Sequence, residues 1–278
     1  MAERRILRPR PLRRLLRVLV LGGGAPSTSL LLMALAGELP RLDAVVFPDT
    51  GFEPRAVTEH AVRLEQVARA AGVAFHRVQA ESLCDDALHP APASHDRAGL
   101  PLFVAEPAGR STRLPAWCAS RYRAAPVRRQ VRELWELAGR PAVELWLGLA
   151  REDAARAPRP HRADPDPVRY RYPLMERGLT RSDCQRWLAA RGWAAPTSGC
   201  VGCPLQSDLR WAELRDTTPH QWAEAVAVDR AIRAAHPGDA GAFLHRSLTA
   251  LDQAELHGPV ERAVVDGFGD EGEGMCAT

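Results

Sequence analysis

The sequence predicts an α/β fold: a parallel sheet with helices on both faces, then a helical C-terminal region holding a cysteine metal site. Three observations lead there. Short apolar runs alternate with helix-length stretches through the first half of the chain, which is the pattern of a parallel sheet. The first run, Leu16 to Leu21, ends in Gly22-Gly23-Gly24 and leads into a helix-like stretch. In the second half, Cys200 and Cys203 form a Cys-x-x-Cys inside a Pro/Gly loop.

The elements follow in order. Residues 1–15 read as a basic arm, with Arg4, Arg5, Arg8, Arg10, Arg13 and Arg14 and then Arg17 at its end. Such an arm either binds nucleic acid or is a solvated tail. Residues 16–80 read as βαβαβ, with strands at 16–21, 43–47 and 73–78 and helices over about 27–37 and 54–71. Pro54 suits the first turn of the second helix. Segment 81–116 has no clear period and reads as a long excursion over the site. A helix over 126–138 and a buried strand over 142–148 follow. Residues 151–169, rich in Arg, Asp, Ala and Pro, read as a flexible lid. Thr180 to Arg191 is a helix with Thr180 as N-cap and Asp183 in a capping-box position. Residues 194–206 form the cysteine loop, and helices follow at 207–216 and 219–236. The tail, Asp266 to Thr278, is acidic and glycine-rich, a disordered composition. The chain thus divides into the arm, a nucleotide-binding α/β domain over 16–175 and a helical region over 176–278.

Composition narrows the function classes. The chain has 278 residues, 46% hydrophobic and 26% charged, with a formal charge of +3, ordinary values for a globular protein. No apolar stretch reaches membrane-spanning length. The apolar start is broken by Arg17 and three glycines, so no signal-peptide core is present and a cytoplasmic protein without a membrane partner is expected. All 37 Lys/Arg residues are Arg. This excludes a Schiff-base lysine, a lysine nucleophile and a P-loop lysine. Phosphate contacts must come from Arg, backbone N–H groups or hydroxyls.

Strand, glycine turn and helix form an arrangement that holds phosphate. Glycines let the backbone approach an anion, and the helix start offers unpaired N–H groups and a positive dipole end. The second apolar run ends at Pro48-Asp49-Thr50-Gly51, which puts a carboxylate at a neighbouring strand end. The bland alternative is a first βαβ unit whose glycines only serve a turn.

Six cysteines stand at 84, 118, 184, 200, 203 and 276. In a reducing compartment a disulfide framework is not expected. Cys200-Val-Gly-Cys203 offers two thiolates to one metal, with zinc, an iron–sulfur cluster or a redox dithiol as the choices. A redox dithiol normally opens a helix beside a strand, whereas this motif lies in a loop after one. Cys118 and Cys276 are the candidate further ligands. Cys184, on an amphipathic helix beside Trp187 and Leu188, reads as core. Cys84 reads as the start of a polar loop without a partner.

Several of these segments resemble one family. Gly22-Gly-Gly-Ala-Pro-Ser-Thr28 is similar to a variant pyrophosphatase loop of the adenine nucleotide alpha-hydrolase superfamily, in its phosphoadenosine phosphosulfate reductase-like, ATP pyrophosphatase subgroup. Asp49-Thr-Gly-Phe-Glu53, Trp117-Cys-Ala-Ser-Arg-Tyr122, Tyr172 to Arg181, Gly199-Cys-Val-Gly-Cys-Pro204 and Gly267 to Cys276 match further segments. The resemblance spans about residues 16–276 and implies a Rossmann-like (HUP-type) sheet. It implies that Gly22, Gly23, Gly24, Ser27 and Thr28 contact nucleotide phosphate. Asp49, with Thr50 and Gly51, would orient the nucleotide or a Mg²⁺, and Arg121, Arg123 and Arg128 would balance phosphate charge. Cys118, Cys200, Cys203 and Cys276 would be the metal ligands, and Asp49 and Cys118 the catalytic candidates. A second tail cysteine usual in the subgroup is Gly272 here, and the usual loop aspartate is Pro26, which removes one N–H from the cradle.

The resemblance tilts the metal toward a [4Fe–4S] cluster, with a zinc knot as the alternative. It implies an ATP-dependent, adenylating, pyrophosphate-releasing sulfur-transfer enzyme acting on a nucleic acid or small metabolite, fed by a sulfur donor such as a cysteine desulfurase. One rival is a sulfonucleotide reductase-like enzyme. Another is a non-catalytic nucleic-acid-binding or assembly protein with a structural metal.

Overall fold

The structure is a computed structural model and describes residues 15–89, 98–105, 111–157, 168–236 and 241–256. Residues 1–14 of the basic arm and the tail with Gly272 and Cys276 lie outside the described residues, whereas Arg17 lies in the first strand and pairs with Glu144 at 3.2 Å. In chain order the strands are β1 (Leu15–Val20), β2 (Ala44–Pro48), β3 (Ala74–Val78), β4 (Phe103–Ala105), β5 (Ser111–Arg113), β6 (Ala142–Leu147), β7 (Val168–Arg171) and β8 (Ala242–Phe243). The helices are α1 (Ala25–Leu35), α2 (Arg55–Ala70), α3 (Leu83–Leu88), α4 (Ala125–Leu137), α5 (Pro173–Glu176), α6 (Arg181–Ala189), α7 (Asp208–Thr217) and α8 (Pro219–Ala235).

A five-stranded sheet runs β3-β2-β1-β6-β7, with every neighbouring pair parallel. Strand order reverses between β1 and β6. A ligand crevice is expected outside the carboxyl ends of the strands at that reversal. Alternation along the strands sorts their side chains between two cores. Leu19, Val45, Phe47, Phe75 and Trp146 face α1, α2 and α6. Val18, Val20, Val46, Val143, Leu145 and Leu147 face Val127 and Val131 of α4. The helix with Thr180 and Asp183 starts as expected: the Thr180 hydroxyl accepts from the Asp183 N–H, and Asp183 accepts from the Thr180 N–H at 2.8 Å.

A second sheet, β5-β4-β8, is antiparallel. It shares a third core with α3, α7 and α8, built on Leu83, Leu100, Leu102, Trp211, Val228 and Leu244. Three sequence expectations are corrected here. Segment 81–116 contains α3, β4 and β5, elements too short to show a period. Segment 151–169 contains a 3₁₀-helix, Arg151–Arg156, and the first two residues of β7, the fifth strand of the parallel sheet, while 158–167 lie outside the described residues. In β7 the residues Val168-Arg-Tyr-Arg171 carry too few apolar side chains to read as a buried strand. Cys84 lies on α3, half-buried against the third core, not in a polar loop. Cys184 is fully buried beside Leu188, as expected. No helix among the described residues is long and apolar enough to cross a membrane.

Candidate functional site

The glycine loop sits at the β1/β6 crevice. Gly23 has a φ of +79°, and a Cβ there would meet Val57 Cγ1 at 2.8 Å. Both facts require glycine. Gly24 precedes α1, and Pro26 falls in the helix's first turn, where its missing N–H breaks no helical bond. The Thr28 N–H is already spent on Gly24 O at 3.0 Å. Ala25 and Ser27 therefore supply the first-turn N–H donors that an anion can use. Thr28 is fully buried, with its hydroxyl 3.0 Å from His60 Nε2. The Ser27 hydroxyl donates to Gly24 O at 3.2 Å. The His60 ring is pushed down to about 4, first by burial and then by Arg63, so it is neutral at ordinary pH.

The loop after β2 forms the next wall. Asp49 accepts from Arg77 Nη2 at 2.6 Å, from Arg77 Nε at 2.9 Å and from the Gly51 N–H at 2.9 Å. Its carboxylate is thus held by a cation and a turn. Gly51 has a φ of +72°, and a Cβ there would meet Gln79 Nε2 at 2.8 Å and Ser82 Cα at 3.0 Å. Thr50 donates to Glu53 Oε1 at 2.9 Å and lies 3.7 Å from Cys200 Sγ.

The cysteine loop closes over both. The Val201 N–H donates to Phe52 O at 2.8 Å. A Cβ on Gly202 would stand 2.5 Å from the Phe52 ring, and one on Gly24 would stand 2.8 Å from Ser198 Oγ. The segment entering Cys200 therefore rests against the glycine loop, and the segment leaving it against the β2 loop. Gly199, at φ +142°, makes the turn. Cys118 arrives from a different part of the chain. Gly99 O accepts from the N–H groups of Trp117 at 3.0 Å and Cys118 at 3.1 Å. A π-helix, Ala119–Ala124, follows Cys118, a form often found at functional sites.

Cys118, Cys200 and Cys203 pack in the third core. Among the described residues no three His, Cys, Asp or Glu are arranged to hold a metal ion, so the three thiols share a core without a closed ligand set. The Cys118 thiol is pushed up to about 11, chiefly by burial and next by the neighbouring Cys200. Mutual repulsion of two buried thiolates is what a bound cation reverses. Cys200 and Cys203 come from one loop and Cys118 from another part of the chain, and thiolates are the ligand type that soft centres such as zinc or iron–sulfur take.

The arginines divide. Arg121 pairs with Glu81 and, at 3.5 Å, with Asp86. Arg123 is buried, donating to Glu53 Oε1 at 2.7 Å and to Cys200 Sγ at 3.8 Å. Arg128, early in α4, has no hydrogen bond or ion pair through its guanidinium among the described residues. Sequence reasoning missed Arg77 as the partner of Asp49 and missed Glu53 as the partner of Arg123. It also missed Ser198, which presses on Gly24 of the glycine loop. Nothing local in the chain marks those pairings.

No family model and no curated protein matches the chain. Among solved structures, it is similar to phosphoadenylyl-sulfate (PAPS) reductase from Candida auris in its phosphate complex. That likeness has 13% identity and a TM-score of 0.40, covering 66% of this chain and 80% of that one. It is also similar to U34-tRNA thiolase NcsA from Methanococcus maripaludis with its [4Fe–4S] cluster. There the identity is 11% and the TM-score 0.38, covering 87% of this chain and 74% of that one. Likeness at this level gives neither protein's activity to this chain.

Proposed function

We propose that this protein is an ATP-dependent sulfur-transfer enzyme that uses an iron–sulfur cluster. One observation carries the reading: the cysteine loop and the glycine loop are a single surface. Ser198 touches Gly24, and Cys200 Sγ lies 3.7 Å from Thr50 Oγ1 on the loop that also holds Asp49. An anion cradle and a thiol cluster thus share one sheet edge, as adenylation followed by sulfur attack requires.

In this reading the ATP phosphates lie over Gly22, Gly23 and Gly24 and the start of α1. Arg128 is the available cation for phosphate, and Asp49 with Thr50 and Gly51 orients the nucleotide or Mg²⁺. Cys118, Cys200 and Cys203 hold the cluster, with Cys276 from the tail as fourth ligand. Four thiolates would occupy all four irons of a [4Fe–4S] cluster, so such a cluster would carry sulfur on an iron only with the Cys276 corner open. The acceptor's oxygen attacks the α-phosphorus, pyrophosphate leaves, and a sulfur nucleophile displaces AMP. The acceptor is a nucleic acid or small metabolite, and the donor a protein such as a cysteine desulfurase.

A second reading, an assembly or nucleic-acid-binding protein with a structural zinc, is favoured by Pro26 and by the commitment of Asp49 to Arg77. Both reduce the groups left for Mg²⁺-ATP. Pyrophosphate release from ATP by anaerobically purified protein, with nucleic-acid and small-molecule acceptors, separates the two. Acceptor-dependent release supports the enzyme. No release, together with stoichiometric zinc, supports the second reading.

A further inference from the structure

Outside the glycine and cysteine loops, a hydroxyl, an imidazole and a carboxylate stand in hydrogen-bonded sequence. His245 and Asp208 are deeply buried, their side chains 4% and 9% exposed, while Ser247 is exposed. His245 Nε2 lies 3.1 Å from Asp208 Oδ1, and its Nδ1 lies 2.6 Å from Ser247 Oγ. The Ser247 backbone N–H points at the same Nδ1 at 3.2 Å, so that nitrogen carries no proton and accepts. Nε2 then carries the ring proton and donates it to Asp208. The Ser247 hydroxyl gives its one proton to Nδ1, and the Thr249 hydroxyl, 2.7 Å away, donates to Ser247 Oγ. Arg246 Nη2 donates to Asp208 Oδ1 at 2.7 Å and balances its charge. The turn that carries these groups is clamped at both ends. Asp229, fully buried on α8, accepts from the Leu244 N–H and the Leu251 N–H, each at 3.1 Å. Between them the Leu248 N–H donates to His245 O at 3.1 Å, and Leu248 is held at a φ of +59°, a conformation that surrounding structure must impose on a leucine.

We propose that Ser247 is a nucleophile activated by His245 and oriented through Asp208, a second chemical site that acts on small acyl esters. A serine bonded to a histidine in a turn is not enough by itself. Here the hydroxyl faces solvent, the base is buried behind it, and a buried carboxylate holds the far ring nitrogen, which is the order that activates a nucleophile. The ring is turned relative to the usual triad, with Nδ1 toward the hydroxyl and Nε2 toward the carboxylate. The roles are unchanged, because such a relay is recognised by geometry. Ser247 Oγ bonds to the ester carbonyl carbon as its proton moves to His245 Nδ1. The bond from that carbon to the leaving alcohol breaks, and the alcohol takes the proton from Nδ1. Water then attacks the acyl-serine and loses a proton to Nδ1, which returns it to Ser247 Oγ as the acid leaves. An acyl group fits better than a phosphoryl group. Phosphoryl transfer needs cations on the transferred group, and the adjoining Arg246 is engaged by Asp208. This inference is independent of the ATP and metal readings above.

The test treats the full-length protein with a fluorophosphonate probe and, separately, with p-nitrophenyl acetate, read by intact mass and peptide mapping. Wild type is compared with Ser247→Ala, His245→Gln and Asp208→Asn. In wild type the phosphonate should end on Ser247 with loss of fluoride, and p-nitrophenol should be released from the acetate ester. Ser247→Ala changes an exposed side chain, so it should keep the melting temperature, take no phosphonate and lose the release. His245→Gln should slow labelling about 10²–10⁴-fold, the usual worth of a general base. Asp208 is a positioning residue, so Asp208→Asn should lower the maximal labelling rate without changing the probe concentration that gives half of it. Wild type with no adduct on Ser247 overturns the proposal, whether or not the His245 variant folds. A folded His245→Gln protein labelled at the wild-type rate overturns it as well. A phosphonate adduct without Ser247-dependent release of p-nitrophenol overturns the acyl assignment.

Discussion

Gly148, just past the end of β6, lies directly against Ser27 at the start of α1: a Cβ on Gly148 would stand 2.7 Å from Ser27 Cα and Ser27 N. The obstacle is backbone, so it cannot rotate away. This contact seats the first turn of α1 on the carboxyl end of β6, at the point where strand order reverses.

Gly148→Ala should therefore push α1 off the sheet edge. The expected cost is about 1–3 kcal/mol of stability, typical of overpacking, together with weaker ATP binding by calorimetry. Gly22→Ala is the contrasting variant. The nearest atom to its Cβ is Ser27 Oγ at 3.9 Å, so the fold should hold while close approach of phosphate is impeded. Loss of ATP affinity at unchanged melting temperature would locate the phosphates there.

Gly23 separates conformational strain from crowding. Gly23→Ala meets both the positive φ and Val57 Cγ1. Adding Val57→Ala removes the crowding but not the left-handed backbone, which costs roughly 1–2 kcal/mol. The double variant should recover only part of the stability lost, and full recovery in chemical denaturation would refute the backbone argument.

The Arg123–Glu53 pair should behave as a buried ion pair in which each charge depends on the other. Arg123→Met alone strands a buried carboxylate, at an expected cost of about 3–5 kcal/mol. Burial already pushes the Glu53 carboxyl up, against the Arg123 charge that lowers it. Adding Glu53→Gln should return most of the lost stability. A double variant as unstable as the single one would contradict this.

His60 gives the fold an acid sensitivity of stated sign. Its folded value is about 4, against an ordinary value of 6.5. Between those values the unfolded chain binds the extra proton and the folded chain does not. Its stabilising contribution is thus full above pH 6.5 and falls as pH drops toward 4, by up to about 3 kcal/mol. Denaturant midpoints measured across this window should fall more steeply for wild type than for His60→Gln. Equal slopes would contradict the assignment.

Much of the parallel sheet is legible in the sequence, because its strands are apolar and its helices long enough to show a period. The capping box at Thr180 and Asp183 is legible because both residues lie in one local motif. The small sheet is not legible: β4, β5 and β8 have three, three and two residues, too few for any alternation to register. At the site, the glycine loop and Cys200-x-x-Cys203 stand out as local patterns. The bonds of Arg77 to Asp49 and of Arg123 to Glu53 join residues far apart in sequence, each drawn from an Arg-rich chain with many equivalent candidates. Burial decides which arginine is chosen, and burial depends on the whole fold.

The central claim is a metal centre at Cys118, Cys200 and Cys203 beside the glycine loop. It is tested most directly by iron, zinc and acid-labile sulfide content after anaerobic purification of wild type, Cys200→Ser and Cys84→Ser. Wild type and Cys84→Ser should carry iron and sulfide in equal amounts, and Cys200→Ser should carry neither. Wild-type metal content in Cys200→Ser, or no metal in wild type, would contradict the account.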